Sequence, residues 1–189
     1  MANQKVVLDA NVLYDGFLRD LLLSIFAAKM YEAKWTEKIT AEWVGHLLKN
    51  NSTVSEEKIR RTVFKMNAIL PSPLVENYEQ FIDQVTIPDK DDRHVVAAAM
   101  ACGAQKIVTW NLSDFPNNIL KIFGIVAESP DKFIYDLLIE NPVEVVTVFK
   151  EVRERFKAPP ISVESFFERL KISRMVMTTR HLEHYRELL

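Results

Sequence analysis

The stretch Lys5-Val6-Val7-Leu8-Asp9-Ala10-Asn11-Val12-Leu13 sets a carboxylate directly behind a short apolar run. Val6, Val7 and Leu8 have the β-branched and aliphatic character of a strand buried on both faces. An ionised carboxylate at the end of such a strand is costly unless something pairs with it. The carboxyl ends of strands in an open parallel sheet are also where ligands bind. Asp9 therefore either caps the following helix or forms one wall of a charged site.

Working outward, Phe17 to Glu32 is strongly apolar and reads as one or two buried helices, and Ala33 to Trp35 as a very short strand. Thr36 opens a helix to about Leu48 with Ile39, Trp43 and Leu47 on one face, and Glu42 flanks that stripe. Ser55 is a suitable cap for a helix to about Leu70 that buries Ile59, Val63, Met66 and Leu70. Its other face carries Lys58, Arg61 and Lys65, with Arg60 beside them. These cations suit phosphate contact. They equally suit a solvated face laced by Glu56–Arg60 and Glu57–Arg61 pairs, the reading that the sequence favours. Leu74 to Val85 is expected to be helical.

The loop Ile87-Pro88-Asp89-Lys90-Asp91-Asp92 leads into an Ala-rich helix from His94 to Cys102. At helical spacing Asp92 shares a face with Val95, Val96 and Ala99, whereas Asp91 lies about 100° away. A cap role explains one of these acids but not three within four residues. His94 reads as an exposed surface residue. Lys106 to Thr109 and Ile125 to Ala127 give two further strands, with Trp110-Asn111-Leu112-Ser113-Asp114 between them. Strands alternating with helices indicate an α/β fold with a mainly parallel sheet. From Ser129 onward the pattern is helical. Asn141-Pro142-Val143-Glu144 opens one helix, Lys157-Ala158-Pro159-Pro160 forms a linker, and two helices follow near Val163–Lys171 and Val176–Leu188.

Composition narrows the chemistry. The chain has 189 residues, 48% hydrophobic and 26% charged, with a net charge of −2. That length accommodates one sizeable core or a core with an annex. A single cysteine excludes an internal disulfide and a zinc cluster of the finger type. No apolar run approaches the roughly 18 residues of a membrane span, and there is no signal-peptide pattern, so the cytoplasm is the expected compartment. Neither glycine-rich phosphate-loop pattern occurs.

Asp9, Glu42, Asp92 and Asn111 or Asp114 thus come from separate segments that α/β winding can bring to one sheet edge. Two carboxylates about 5 Å apart repel by roughly 3 kcal/mol at an effective dielectric near 20. Three call for proton uptake or a cation. All-oxygen ligands favour Mg²⁺ or Mn²⁺ over Zn²⁺. Such an ion can polarise a phosphoryl oxygen and activate water.

In V-L-D-A-N-V-L, in Glu42 on an early helix, in D-K-D-D-R-H-V-V-A-A-A and in I-V-T-W-N-L-S-D-F, the chain resembles the PIN-domain nucleases, particularly the toxins of VapBC-type toxin–antitoxin pairs. The resemblance covers about Lys5 to Ala127 and rests on the order and spacing of the motifs together. It implies a PIN-like three-layer αβα fold, with a nuclease domain over residues 1–128 and a helical C-terminal extension over 129–189. It implies a Mg²⁺- or Mn²⁺-dependent endoribonuclease that leaves 5′-phosphate and 3′-hydroxyl ends. Asp9, Glu42 and Asp92 match the family's metal site. The family's fourth acid falls at Asn111, which leaves open whether Asp114 substitutes. The implied partners are RNA, a cognate antitoxin protein and a second copy in a homodimer, with no membrane. The alternative is a noncatalytic PIN-fold module that binds RNA or protein, and the missing fourth acid is its best support.

Overall fold

The computed structural model describes residues 4–51, 54–69 and 71–189. Strand β1 (Lys5–Leu8) leads into helices α1 (Ala10–Tyr14) and α2 (Gly16–Ala27), then β2 (Glu32–Lys34), α3 (Glu37–Asn50) and α4 (Glu56–Asn67). A 3₁₀ turn over Glu79–Gln84 precedes α5 (Arg93–Cys102), β3 (Lys106–Val108), α6 (Asn117–Leu120) and β4 (Val126–Glu128). Helices α7 (Pro130–Glu140), α8 (Pro142–Glu154), α9 (Val163–Ile172) and α10 (Val176–Leu182) complete the chain with a last 3₁₀ segment, Glu183–Leu188.

The four strands form one sheet in the order β2-β1-β3-β4, and every pairing is parallel. Val6 pairs with Ala33, Val7 with Ile107, and Ile107 with Ala127. Val6, Val7, Leu8, Ala33, Ile107 and Val108 have no exposed surface. Strands covered on both faces read as continuous apolar runs, as these do. The expected α/β fold with a central parallel sheet is the one observed. From β1 the next strand lies on one side and β3 on the other, so the strand order reverses between β1 and β3. In open α/β sheets a crevice opens there at the carboxyl ends.

The chain divides into two compact units. The first runs up to Tyr14 and from Tyr31 to Ser129, and holds the sheet. Here α1 packs on α3, and α5 packs on β1, β3 and the 3₁₀ turn. Thr36 caps α3 by accepting from the Ile39 N–H at 3.0 Å. Ser55 stands at the start of α4 without a side-chain capping bond. Ile59 and Met66 of α4 are buried; Leu70 lies outside the described residues. Gly103 closes α5 at φ +67°, a left-handed turn that glycine adopts without strain.

Two local expectations fail. The helix expected over Leu74 to Val85 is an extended segment followed by the short 3₁₀ turn. Trp35 N–H donates to Pro73 O at 3.0 Å and Val75 N–H to Trp35 O at 2.9 Å. Leu74 thus bridges in parallel to Trp35, beside the edge strand β2, and those backbone bonds replace helical ones. The apolar stretch read as helical to Glu32 ends its helix at Ala27, because Glu32 already pairs with Lys5 in the sheet.

The second unit comprises Asp15–Met30 and Pro130–Leu189. Helix α2 packs on α8, and α7 on α10. Phe166 of α9 has no exposed surface and meets Phe17 and Phe149 edge-on, at centroid distances of 5.7 and 6.1 Å. Asp15 caps α2 with one carboxylate oxygen and accepts from Ser173 Oγ with the other at 2.6 Å. Buried Asp131 accepts from the N–H groups of Met177 and Thr178 at 2.8 and 2.9 Å, and so caps α10 from another helix.

Candidate active site

The site is built where the strand order reverses. The Asp9 N–H continues the ladder to Val108 O at 3.1 Å, which holds its backbone in the sheet. The Asp9 carbonyl then starts α1 by accepting from Val12 and Leu13. Its carboxylate, only 5% exposed, accepts from the Ala10 N–H at 2.6 Å on Oδ1. Oδ2 accepts from Asn11 Nδ2 and from Thr109 Oγ1, each at 2.7 Å. Thr109, the residue after β3, mirrors Asp9 after β1. Its hydroxyl also accepts from Asn11 Nδ2 at 2.9 Å and from the Asn111 N–H at 3.0 Å. Asn11 Oδ1 accepts from the Trp110 N–H at 3.1 Å, tying the two strand ends together. Burial raises the Asp9 pKa, and the nearby Glu42 charge adds to it; Thr109, Ala10 and His94 work the other way.

Asp92 stands just ahead of α5 at the cap position, yet its side chain makes no capping bond. It is half-buried, while Asp91 is exposed. Burial first, then the charges of Asp9, Asp89 and Asp114, push the Asp92 pKa up to about 6. One oxygen from each of Asp89, Asp92 and Asp114 lies within 4.8 Å of the others. Asn111 holds Asp114 there: its Nδ2 donates to Asp114 Oδ2, and the Asp114 N–H returns to Asn111 O at 3.1 Å. This crowding of hard oxygen donors suits a divalent cation with a preference for oxygen.

Glu42 projects from α3, its side chain 34% exposed, and its Oε1 lies 2.9 Å from His94 Nε2. The contact is short, but the ring N–H is not aligned on the oxygen, and neither His94 nitrogen makes a well-formed hydrogen bond. His94 is 1% exposed, so its expected surface position is overturned. Packing of α5 on the sheet and the 3₁₀ turn covers it.

Of the residues singled out in the sequence, Asp92 and Asp114 share the close carboxylate group with Asp89, Asn111 holds Asp114, the Asp9 charge reaches Asp92, and the Glu42 charge reaches Asp9. Lys58, Arg61 and Lys65 lie exposed on α4, where Arg61 pairs with Glu57 at 2.5 Å and Arg60 with Glu56 at 3.7 Å. Phe64 stands 75% exposed among them. Asp89, Asn11, Thr109 and His94 were not singled out as site residues. Thr109 was within reach of sequence reasoning, since it occupies the strand-end position that drew attention to Asp9. His94 offered no such signal.

Residues 5–113 match the family model of the PIN domain, more than half of the chain. The chain belongs to the PIN domain family. Residues 130–184 match the model of the VapC50 C-terminal domain, so the helices that follow the PIN domain in sequence also have a family likeness. Over 79 residues the chain is 37% identical to the protein named "Putative ribonuclease VapC50" of Mycobacterium tuberculosis. That alignment covers 42% of this chain and 47% of the relative, so the chain spans about half the length of the curated relative it matches. No solved structure matches the chain. No helix among the described residues is long and apolar enough to cross a membrane.

Proposed function

We propose that this PIN domain is a metal-dependent endoribonuclease and that the protein is the toxin of a toxin–antitoxin pair acting in the cytoplasm. The observation that carries the reading is the crowding of Asp92 by Asp9, Asp89 and Asp114 at the crevice between β1 and β3. Like charges so close are held at a net cost unless a cation neutralises them. Asp9, Asp92 and Glu42 would hold Mg²⁺ or Mn²⁺, with Asp114 in place of the fourth acid and Asp89 adding an oxygen. The ion supplies charge neutralisation at the phosphoryl oxygens and a more acidic water.

The chain's own residues set the geometry. Asn11 and Thr109 brace the Asp9 carboxylate against rotation. Asn111 aims Asp114. Glu42 would orient the attacking water and take its proton. As the water oxygen bonds to phosphorus the P–O3′ bond breaks and the departing 3′ oxygen takes a proton from solvent, so the cleaved RNA carries a 5′-phosphate and a 3′-hydroxyl. Lys58, Arg61 and Lys65 would contact RNA phosphates away from the chemistry. The nuclease domain would span residues 1–128 and the helical extension 129–189, which would engage the antitoxin or a second copy. The relative's name, with its mention of a ribonuclease, supports the reaction class.

The test is cleavage of a single-stranded RNA by the purified protein with Mg²⁺ or Mn²⁺. Cleavage that stops with EDTA is expected. Cleavage persisting in excess EDTA would overturn the metal mechanism, and inactivity without metal binding by calorimetry would favour a noncatalytic module.

A further inference from the structure

We propose that His94 is a positioning residue for Glu42: from the first turn of α5 it holds the α3 carboxylate toward Asp9. The inference rests on the nuclease reading of this site and assigns a role to a residue outside its acidic set.

His94 sits where folding asks only for an apolar side chain. The residues that follow it, from Val95 to Ala99, have no exposed surface, and His94 itself is 1% exposed. A buried polar group without a good partner destabilises a fold by about 1–3 kcal/mol. Both ring nitrogens of His94 are buried without an aligned hydrogen bond. Unsatisfied buried groups in a native protein require a reason beyond packing. Here one ring nitrogen does face a charged group, Glu42 Oε1 at 2.9 Å. For Nε2 to approach a carboxylate it must carry the ring proton, since two lone pairs would repel. Catalytic hydrogen bonds are often poorly aligned before substrate arrives, which fits the bent contact.

Glu42 needs such a hold. Its side chain is one-third exposed and has several free rotors, so in water it would spread over many rotamers. Its charge nevertheless reaches Asp9. His94 also follows Asp92 by two residues, so one rigid helix start carries both an acid of the site and the residue that orients the acid opposite. A base or ligand fixed before reaction avoids the entropic cost of ordering it during reaction.

The experiment compares His94→Leu, His94→Gln and Glu42→Gln, and the pair His94→Leu with Glu42→Gln, in the full chain. Thermal melts establish that each variant folds. Cleavage of a single-stranded RNA and Mn²⁺ affinity by calorimetry are then measured. His94→Leu is expected to lower kcat or Mn²⁺ affinity by about 10- to 100-fold, the range found when a partner of a metal-site residue is removed, with little change in KM. Gln, whose amide reaches where Nε2 stands, should recover most of the loss. In the Glu42→Gln background, His94→Leu should add nothing further. A full additional loss in that background, or a Leu variant equal to wild type in both readouts, overturns the proposal. If wild-type protein binds Mn²⁺ but cleaves no RNA, the nuclease reading fails by itself. Positioning of Glu42 is then decided by Mn²⁺ affinity, which the Leu variant must weaken and Gln restore. Should His94→Leu not fold, Gln against Asn decides: Asn mimics Nδ1, so activity equal to that of Gln overturns the role of Nε2.

Discussion

At the scale of single residues, Asp91 and Asp92 are neighbours with opposite surroundings. Asp91 is exposed, with its N–H bonded to Asp89 Oδ1 at 2.8 Å. Asp92 is half-buried among other acids, and its pKa rises to about 6 from an ordinary 3.8. Asp92→Asn is therefore expected to abolish cleavage, and Asp91→Asn to leave most of it, in the same RNA assay. The pH dependence follows from the raised value. Stability contributed by neutral Asp92 is fully present below pH 3.8 and is lost as pH rises through about 6. In metal-free protein the melting temperature of Asp92→Asn should match wild type near pH 4 and exceed it above pH 6. Mg²⁺ at 100 times its Kd should stabilise wild type by about 2.7 kcal/mol at pH 7 but not this variant. Equal stabilisation of both would mean that Asp92 holds no ion.

At the scale of elements, α4 presents cations in a surface role that ion pairs already satisfy in part. If Lys58, Arg61 and Lys65 contact phosphates, changing all three to Gln should flatten the salt dependence of RNA binding. The log–log slope should fall by about 0.7 for each phosphate no longer neutralised. An unchanged slope would leave them a solvated face, the reading that the Glu57–Arg61 pair supports. Helix α10 depends on a residue far away in sequence. Asp131 caps it from α7, so Asp131→Ala should destabilise the protein by about 0.5–2 kcal/mol in urea unfolding, the usual cost of removing a cap.

At the scale of the molecule, the last helices belong to a core. Phe166, Phe167 and Leu170 are buried, and Arg153 of α8 donates to the backbone of Ile161 and Leu189 at 2.9 and 3.0 Å. Truncation after Lys157 removes α9 and α10 and uncovers Phe149, which packs on Phe166. Such a chain is expected to aggregate or to melt without a cooperative transition for the second unit, by calorimetry and size-exclusion chromatography. A truncated protein that melts like the full chain would make these helices an appendage.

The sequence by itself determined the strands and the acids. Val6 to Leu8 and Ile107 to Val108 are short runs without a polar residue, and such runs have few places in a fold other than a covered parallel sheet. Asp9 was legible because a charge behind a buried strand needs a reason, and Asp92 because helical spacing put it on the apolar face. Only the tertiary structure decided what depends on segments far apart in the chain. Leu74 is extended because Trp35 offers it backbone partners, which local apolar periodicity does not register. His94 is buried because α5 packs on the sheet, although a histidine that follows a run of charged residues reads as exposed. Asp114 lies beside Asp89 and Asp92 with Asn111 donating to its carboxylate, a hydrogen bond that spacing alone does not specify. Periodicity reports which face of an element is covered; what covers it, and which side chains meet there, is settled by packing between elements.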